Sequence, residues 1–144
     1  MDYKPLDENF EEKVRRSWAK QGFLHTIGAR MEKIEAGMCE VHLPYREELT
    51  QSHGFFHGSV IGAIADVSGG YAAYSLTPPG SQMLTVEYKI NFLNPGLGEK
   101  LVARGYVDKF GKTLSVCRSE IYSVEDGEET LCATAQMTMM TLSE

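Results

Sequence analysis

The segment from Ser59 to about Ser75 limits the possible folds of this chain more than any other. Nearly every position in it is apolar or small, and Asp66 is its only charged residue. The run is too long for an ordinary strand, so it predicts a helix buried around most of its circumference. A proline- and glycine-rich turn at residues 77–80 ends it. Other elements must enclose such a helix, and a strongly curved antiparallel sheet is the candidate.

The sequence offers enough strands to build that sheet. Residues 26–44 are typical of two short strands around a turn at residues 35–37. Apolar and polar residues alternate strictly over residues 84–92. This pattern predicts a strand with Val86, Tyr88, Ile90 and Phe92 on one face and an opposite polar face that includes Thr85. Further strands are expected at about 99–109, 112–123 and 129–141. Short connections predict that the last four strands form an antiparallel meander.

A surface helix is expected before the sheet, at about residues 7–21. Phe10, Val14 and Trp18 are spaced four apart, acidic residues come early and basic residues late, and Gly22 is expected to end the helix. The length fits a single domain over residues 1–144, with its core at about 25–141. A sheet with an open edge favours pairing with a second copy, so we expect at least a dimer.

Composition and charge exclude several classes of protein. The net charge is −6, from 14 basic and 20 acidic residues, and the basic residues are scattered, which argues against nucleic acid as a partner. The chain has no run of about 18 apolar residues, so we expect no membrane association. The first residues lack the pattern of a signal peptide, and the three cysteines form no CxxC pair. We therefore expect a cytoplasmic protein whose cysteines are buried and inert.

Three features of the central region carry a family resemblance. They are the His57-Gly58 turn that opens the buried helix, the acid eight residues after Gly58, and the strand from Thr85 to Pro95. Their order and spacing resemble the hotdog-fold acyl-CoA thioesterases, above all the phenylacetate-pathway (PaaI-like) group, over residues 25–141. The resemblance implies an α+β hotdog fold and a homodimer, or a dimer of dimers, that hydrolyses acyl-CoA. Coenzyme A would be part of the substrate, and no separate cofactor is implied.

The resemblance also assigns candidate catalytic residues. Gln51 matches the amide residue that holds the nucleophilic water or the substrate carbonyl, and Gly58 matches the backbone N–H that binds the oxyanion. Asp66 matches the catalytic carboxylate, and Thr85 matches an assisting hydroxyl residue. Ser59 stands where the family usually has a second glycine, and this departure concerns the subfamily rather than the fold.

Elementary chemistry explains why these residue types suit thioester hydrolysis. Free N–H groups at a helix N-terminus, together with the helix dipole, can polarise a carbonyl at Gly58 without a cationic side chain. Asp66 lies roughly 12 Å further along the same helix and cannot reach that site. The spacing therefore predicts a composite site in which Asp66 of one chain meets Gly58 and Gln51 of another. Asp66 could act as a general base on water or as a nucleophile through an acyl anhydride.

Further residues are candidates for substrate binding. We expect His57 and Ser59 to shape the turn beside the substrate, and Lys109 and Lys112 to face the phosphates of coenzyme A. A metal site is not expected, because His53 and His57 have no third ligand. Four aromatic residues could line an acyl pocket or simply belong to the core: Phe55, Phe56, Tyr71 and Tyr74.

Two rival functions remain open at this stage. A non-catalytic acyl-CoA binding or sensing protein would keep the pocket without a competent base. A dehydratase acting on hydroxyacyl thioesters would need a histidine and an acid across the site, and His57 keeps that alternative open. Release of free coenzyme A separates the thioesterase from the sensor.

Overall fold

The computed structural model describes residues 2–143 of the chain. Two helices, α1 (Phe10–Trp18) and α2 (Gly22–Ile27), precede the hairpin of β1 (Arg30–Glu35) and β2 (Met38–Pro44). A short 3-10 turn then leads to the long helix α3 (Gly58–Tyr74). Four strands follow: β3 (Gln82–Phe92), β4 (Lys100–Lys109), β5 (Leu114–Glu125) and β6 (Glu128–Leu142). The six strands form one antiparallel sheet in the order β1-β2-β4-β5-β6-β3.

The sheet curves around α3, as predicted for a hotdog fold. The helix begins and ends within one residue of the predicted bounds, and most of its residues are buried. Glycines allow helix and sheet to approach closely. A methyl group at Gly105 of β4 would lie 2.2 Å from the backbone of Ser68, and one at Gly69 would lie 2.0 Å from the sulfur of Met137. A side chain at either glycine would therefore separate α3 from the sheet.

The predicted N-terminal helix at about residues 7–21 corresponds to α1 alone, and a second helix, α2, follows it. Gly22 begins α2 rather than following the end of a single helix, and residues 26 and 27 belong to α2 rather than to a strand. Leu24 and Ile27, three residues apart, are both buried and hold this short helix on the core. Gly28, with φ 85°, ends it in the left-handed conformation.

The prediction of a four-strand meander is wrong for β3. This strand pairs with β6 and not with β4, because β2 occupies the place beside β4. The connection at residues 93–99 is too long for a tight hairpin, so it does not force β3 and β4 to be neighbours. As a result β3 lies at the edge of the sheet, and one side of its backbone has no partner strand within residues 2–143.

A β-bulge at Val86 interrupts the predicted strict alternation of β3. The register shifts between Thr85 and Glu87, so Thr85 pairs with Met139 while Tyr88 pairs with Met137. Residues that pair directly across two strands lie on the same face of the sheet, and the side chains of Met137 and Met139 both face α3. Thr85 therefore lies on the helix side together with Tyr88, and the prediction that it belongs to the polar face is wrong. The extra residue in the bulge rotates Thr85 towards the helix.

The edge strand exposes unusually many apolar side chains. Four of them are between 46% and 56% exposed: Leu84, Val86, Tyr88 and Phe92. A long apolar edge strand of this kind is a template for pairing with another chain.

Candidate active site

Asp66 lies in the middle of α3 and faces the beginning of β3. Its Oδ1 accepts a hydrogen bond of 2.7 Å from the hydroxyl of Thr85, and no cation pairs with it within residues 2–143. Burial raises the pKa of this carboxyl, while the hydrogen bond from Thr85 acts in the opposite direction. A half-buried acid without a cationic partner is suited to proton transfer rather than to an ion pair that stabilises the fold.

A cavity of about 260 Å³ opens beside Asp66. One side of the cavity is formed by residues on a single face of α3. Residues of α1, β3 and β6 and the N-cap residue of α2 form the other sides. The lining comprises Ser17, Gln21, Asp66, Val67, Gly70, Tyr71, Tyr74, Gln82, Met83, Thr85 and Met139. Asp66 and Tyr74 mark a length of about 12 Å along the helix axis. The cavity is thus large enough for a small organic group next to the carboxylate.

A polar cluster forms the wall of this cavity opposite β3. The hydroxyl of Tyr71 lies 2.9 Å from the hydroxyl of Ser17 and accepts a hydrogen bond of 3.0 Å from the side-chain amide of Gln21. Burial raises the pKa of Tyr71, so its phenol stays protonated. Trp18 packs edge-on against the Tyr71 ring at 5.6 Å. Ser17 and Gln21 were not among the predicted site residues, because only their packing against Tyr71 of α3 brings them to the cavity.

The N-terminus of α3 carries a backbone donor without an acceptor. His57 caps the helix, and its Nδ1 accepts hydrogen bonds from the N–H (3.0 Å) and the hydroxyl (2.6 Å) of Ser59. His57 and Ser59 therefore hold the turn, as expected of a cap. The N–H of Gly58 donates to no acceptor within residues 2–143. It points from the positive end of the helix dipole, which is the position an oxyanion would need.

Gln51 lies in the loop before α3 and partly serves that loop. Its side-chain carbonyl accepts a hydrogen bond from the N–H of His53, and its backbone N–H donates to the carbonyl of Phe55 at 2.9 Å. The side-chain amide NH₂ has no partner in the described part of the chain. The side chain can therefore present a donor, while its acceptor is already used.

Gln51 and Gly58 line a second pocket, of about 400 Å³. Its other walls are largely apolar and comprise Phe55, Phe56, Ile61, Phe92, Leu93, Asn94, Pro95 and Gly96. No residue lines both this pocket and the cavity beside Asp66. The fold therefore brings Asp66 together with Thr85, and Gln51 together with Gly58, but it keeps the two pairs apart within one chain.

The four candidate aromatic residues are divided between the same two pockets. Of the four aromatic residues, Tyr71 and Tyr74 line the Asp66 cavity, whereas Phe55 and Phe56 line the Gly58 pocket. Tyr71 and Phe56 are also buried in the core.

The lysines predicted to face phosphates lie away from both pockets. Lys109 ends β4 and Lys112 lies in the following turn, and both side chains are exposed. Neither lines the Asp66 cavity or the Gly58 pocket, and neither forms an ion pair within residues 2–143. In the single chain they are a solvated hairpin tip.

Residues 2–143 contain no group of three or more His, Cys, Asp or Glu residues arranged to hold a metal ion, and no helix long and apolar enough to cross a membrane. The three cysteines are free and buried. Burial raises the pKa of Cys117 to about 12 and that of Cys132 to about 11, so these thiols are not nucleophiles at neutral pH.

Known proteins with the same fold share this arrangement of helix and sheet. A thioesterase family protein from Silicibacter pomeroyi is 42% identical and superimposes with a TM-score of 0.92 over 94% of this chain and 99% of its own. The PaaI protein of E. coli, from the phenylacetic acid degradation operon, has the same fold at 20% identity, with a TM-score of 0.84 over 96% of each chain.

Sequence comparison agrees with the structural comparison. A Saccharolobus solfataricus protein that carries a provisional esterase name is 34% identical over 82% of this chain and 76% of its own length. A second relative from that organism is matched over 66% of its length. The profile of the thioesterase superfamily matches residues 53–130, which include Gly58, Asp66 and Thr85. The chain therefore belongs to the thioesterase superfamily, a family of hydrolases, and the predicted hotdog family is confirmed.

Proposed function

We propose that this protein is an acyl-CoA thioesterase and that Asp66 is its catalytic carboxylate. The observation that carries the proposal is the Asp66–Thr85 pair. The carboxylate has a raised pKa, no cationic partner within residues 2–143, and an adjoining cavity. A base with these properties can accept a proton nearer neutral pH than an ordinary Asp. Family membership supports hydrolysis of a thioester as the reaction.

We further propose that the site is completed by a second copy of the chain, paired through β3. Asp66 contacts Thr85 near one end of this strand, and a methyl group at Gly58 would lie 3.3 Å from Phe92 near the other end. Antiparallel pairing of two β3 strands with Thr85 opposite the second subunit's Phe92 is symmetric. It brings Asp66 of each chain towards Gly58 of the other. The exposed apolar side chains of β3 support burial at such an interface.

In this composite site the two pairs of residues have different roles. The N–H of Gly58 binds the developing oxyanion, and the free amide of Gln51 holds the carbonyl or the water. Asp66 either accepts a proton from the attacking water or attacks the carbonyl itself, and Thr85 holds the carboxylate in place. In both routes the C–S bond breaks and coenzyme A leaves as a thiolate, which takes up a proton from Asp66 in the first route and from water in the second. In the second route a water molecule then hydrolyses the anhydride between the acyl group and Asp66, which releases the acid and restores the carboxylate. No metal is required, so treatment with EDTA should leave the rate unchanged.

The first experiment measures thiol release from a panel of aromatic and aliphatic acyl-CoAs. Hydrolysis of at least one of them at a saturable rate supports the proposal. Saturable binding of acyl-CoA without release of free coenzyme A would instead make the protein a binding or sensing module. The three free cysteines support a reducing, cytoplasmic setting, which localisation of a tagged full chain would test.

The composite site has a sharper test, in which two inactive variants restore each other. Asp66→Asn removes the base and Gly58→Pro removes the N–H. A heterodimer of the two has one doubly altered site and one intact site. Random mixing of refolded subunits should therefore recover about a quarter of the wild-type rate. Each variant refolded alone is the control. If mixing recovers nothing although heterodimers form, both residues act in the same chain's site and the proposed interface is wrong.

The role of Asp66 is tested by a single turnover in ¹⁸O-labelled water. Label in the peptide that contains Asp66 establishes it as a nucleophile, because water has then opened the anhydride at the Asp66 carbonyl. Label in the free acid alone is expected if Asp66 is a base, and it also results if water opens the anhydride at the acyl carbonyl. Mass spectrometry of the digested protein reads the difference.

A further inference from the structure

Two buried serines lie on the side of α3 that is nearly opposite to its acid. Ser68 follows Asp66 by two residues, which is about 200° around the helix, and its side chain faces β5. Ser119 of β5 meets it, with 2.9 Å between the two hydroxyl oxygens. Ser68 is 0% exposed and Ser119 is 1% exposed, while the next inward residues of β5, Cys117 and Ile121, are apolar and buried. Two hydroxyls in such a place destabilise the fold unless they are hydrogen-bonded.

Both hydroxyls are bonded, and they share an acceptor in the backbone of α3. The Ser119 hydroxyl donates to the carbonyl of Ala65 at 2.7 Å, and the Ser68 hydroxyl lies 3.1 Å from the same oxygen. Among residues 2–143, Ser119 is the only strand residue whose side chain bonds to the main chain of α3. The Ala65 carbonyl and the N–H of Asp66 belong to one planar peptide unit. Ser119 therefore holds the peptide unit that leads directly into the acid.

The sheet allows a close approach of the helix at this point. Ser119 pairs with Gly105 of β4 on one side and with Ala135 of β6 on the other, so this row of the sheet has no long side chain. A methyl group at Gly105 would lie 2.2 Å from the backbone of Ser68. Apolar contacts have no direction, so by themselves they would allow α3 to slide or turn slightly on the sheet. A hydrogen bond to a main-chain carbonyl is directional and restricts both movements.

Stability alone does not account for this pair of serines. Replacing both members of a buried hydrogen-bonded pair by apolar groups of similar shape is often nearly neutral for stability. In some proteins buried polar groups instead select one packing arrangement among several of similar stability. For α3 the selected arrangement matters on its other side, where Asp66 must meet the hydroxyl of Thr85.

We propose that Ser119 and Ser68 are positioning residues for Asp66. Their bonds to the Ala65 carbonyl set the position and rotation of α3, and the carboxylate consequently meets the Thr85 hydroxyl at 2.7 Å. Neither serine lines the cavity beside Asp66, so they act on the reaction only through the carboxylate. This inference rests on the proposed function, since it concerns the catalytic carboxylate of the same site. The placement of the carboxylate can nevertheless be measured without turnover.

The first test is the titration of the Asp66 carboxyl, followed by NMR of the ¹³C-labelled side chain. The Thr85 hydroxyl stabilises the charged form, so a weaker bond between the two residues raises the pKa of Asp66. Ser119→Ala should therefore move the titration to higher pH. Ser68→Ala should do the same to a smaller extent, because Ser119 still donates to the helix. In a Thr85→Ala background, Ser119→Ala should cause no further shift, because the bond that it maintains is already lost.

Ser123→Ala is the matched control on the same strand. Ser123 lies four residues beyond Ser119 on the same face of β5 and is 6% exposed, but its hydroxyl bonds to the carbonyl of Thr130 at 3.5 Å and not to α3. The control thus loses a buried hydroxyl from β5, and Asp66 should titrate as it does in the wild type. Equal shifts in Ser119→Ala and Ser123→Ala would indicate a general loosening of the fold and would contradict the role given to Ser119.

Turnover provides the second readout. A displacement of about 1 Å can cost about 10²-fold in rate, and a smaller displacement is expected here. Ser119→Ala should therefore lower kcat by about tenfold and leave KM unchanged, and the acidic limb of the kcat/KM profile should move to higher pH together with the NMR titration. If no acyl-CoA is hydrolysed, the proposed function fails, and the titration alone decides this inference. An Asp66 titration that is unchanged in both Ser119→Ala and Ser68→Ala overturns it, as does a Ser119→Ala shift that persists in the Thr85→Ala background.

Discussion

The Gly58 pocket and the Asp66 cavity lie about 12 Å apart along one helix and differ in chemistry. The pocket is walled mostly by aromatic and aliphatic side chains, and the N–H of Gly58 and the side-chain NH₂ of Gln51 are free donors in it. The cavity holds a carboxylate, hydroxyls and an amide. Ester or thioester hydrolysis needs a donor for the oxyanion and a base for the water. The carboxylate lines only the cavity, and the free N–H at the start of the helix lines only the pocket.

On the basis of this difference we propose that neither pocket is a complete site by itself. A chain that carried out the reaction alone would be expected to bring donor and base within hydrogen-bond reach of one carbonyl. Here the open β3 edge lies beside both pockets, since Thr85 is near its beginning and Phe92 is at its end. The predictions below test whether the two pockets act as two halves of one site.

The largest effect is expected from removing the base. Asp66→Asn keeps the shape of the side chain and an oxygen that can accept from Thr85, but it cannot take up a proton or attack a carbonyl. We expect kcat/KM to fall by about 10²- to 10⁴-fold, the usual contribution of a positioned base. Steady-state thiol release measures it, with circular dichroism as the check on folding. Undiminished turnover in the folded variant would remove Asp66 from the mechanism.

The Gly58 pocket is tested by deleting its backbone donor. Proline is favoured at the first position of a helix, and His57, with φ −64° and ψ 139°, already has the conformation that precedes proline. Gly58→Pro should therefore keep α3 and lose only the N–H, with a fall in kcat of about 10²- to 10³-fold.

The matched control for that variant is Gly58→Ala. It keeps the N–H and adds the Cβ that would lie 3.3 Å from Phe92. The difference between the two variants measures the N–H alone. Equal rates for the proline and alanine variants would mean that the helix N-terminus binds no oxyanion.

A smaller effect is expected at Thr85, and it should depend on pH. The hydroxyl stabilises the charged form of Asp66, so its loss in Thr85→Ala raises the pKa of the carboxyl further. A catalytic carboxylate must be deprotonated, so activity declines as pH falls through this pKa. The acidic limb of the kcat/KM profile should move to higher pH in Thr85→Ala and stay close to wild type in Thr85→Ser. An unmoved limb in Thr85→Ala would contradict the role given to Thr85.

The smallest effect is expected on thermal stability. Asp66→Asn should lower the activity but should not lower the stability. The pKa of Asp66 is raised by burial, so the folded chain holds its proton more tightly than the unfolded chain. Stability is therefore fully present at pH below the ordinary Asp pKa and declines as pH rises through the raised pKa. At neutral pH, Asp66→Asn should melt at a temperature equal to or above that of wild type. Thermal denaturation measures it, and a clearly lower melting temperature would indicate that the charge stabilises the fold.

Local patterns in the chain predict much of the fold correctly. The apolar run after Gly58 leaves no alternative to a buried helix, and the hairpin and last three strands follow from alternation between strong turns. The helix α2 and the pairing of β3 with β6 were not predicted in this way. The buried side chains of Leu24 and Ile27 hold α2 on the core, and this contact is not visible in the local pattern.

Part of the candidate site could be predicted from the sequence. Asp66 stands out as the only charged residue in an apolar helix, and the helical rise shows that it lies far from Gly58. The polar cluster around the Tyr71 hydroxyl has no such signal, because Ser17 and Gln21 are ordinary polar residues of an amphipathic segment. Their proximity to Tyr71, more than fifty residues away in the chain for Ser17, arises only when α1 packs on α3.

The residues alone specify a buried helix with one acid, a sheet to enclose it, and a separation between Gly58 and Asp66 that is too large for the two to meet in one chain. These follow from periodicity and helix rise, which act over a few residues. Contacts between distant segments decide the edge position of β3, the bulge at Val86 that turns Thr85 to Asp66, and the cluster around the Tyr71 hydroxyl. A strand with apolar residues at alternate positions can pair in more than one register, and only its partner strand selects between them.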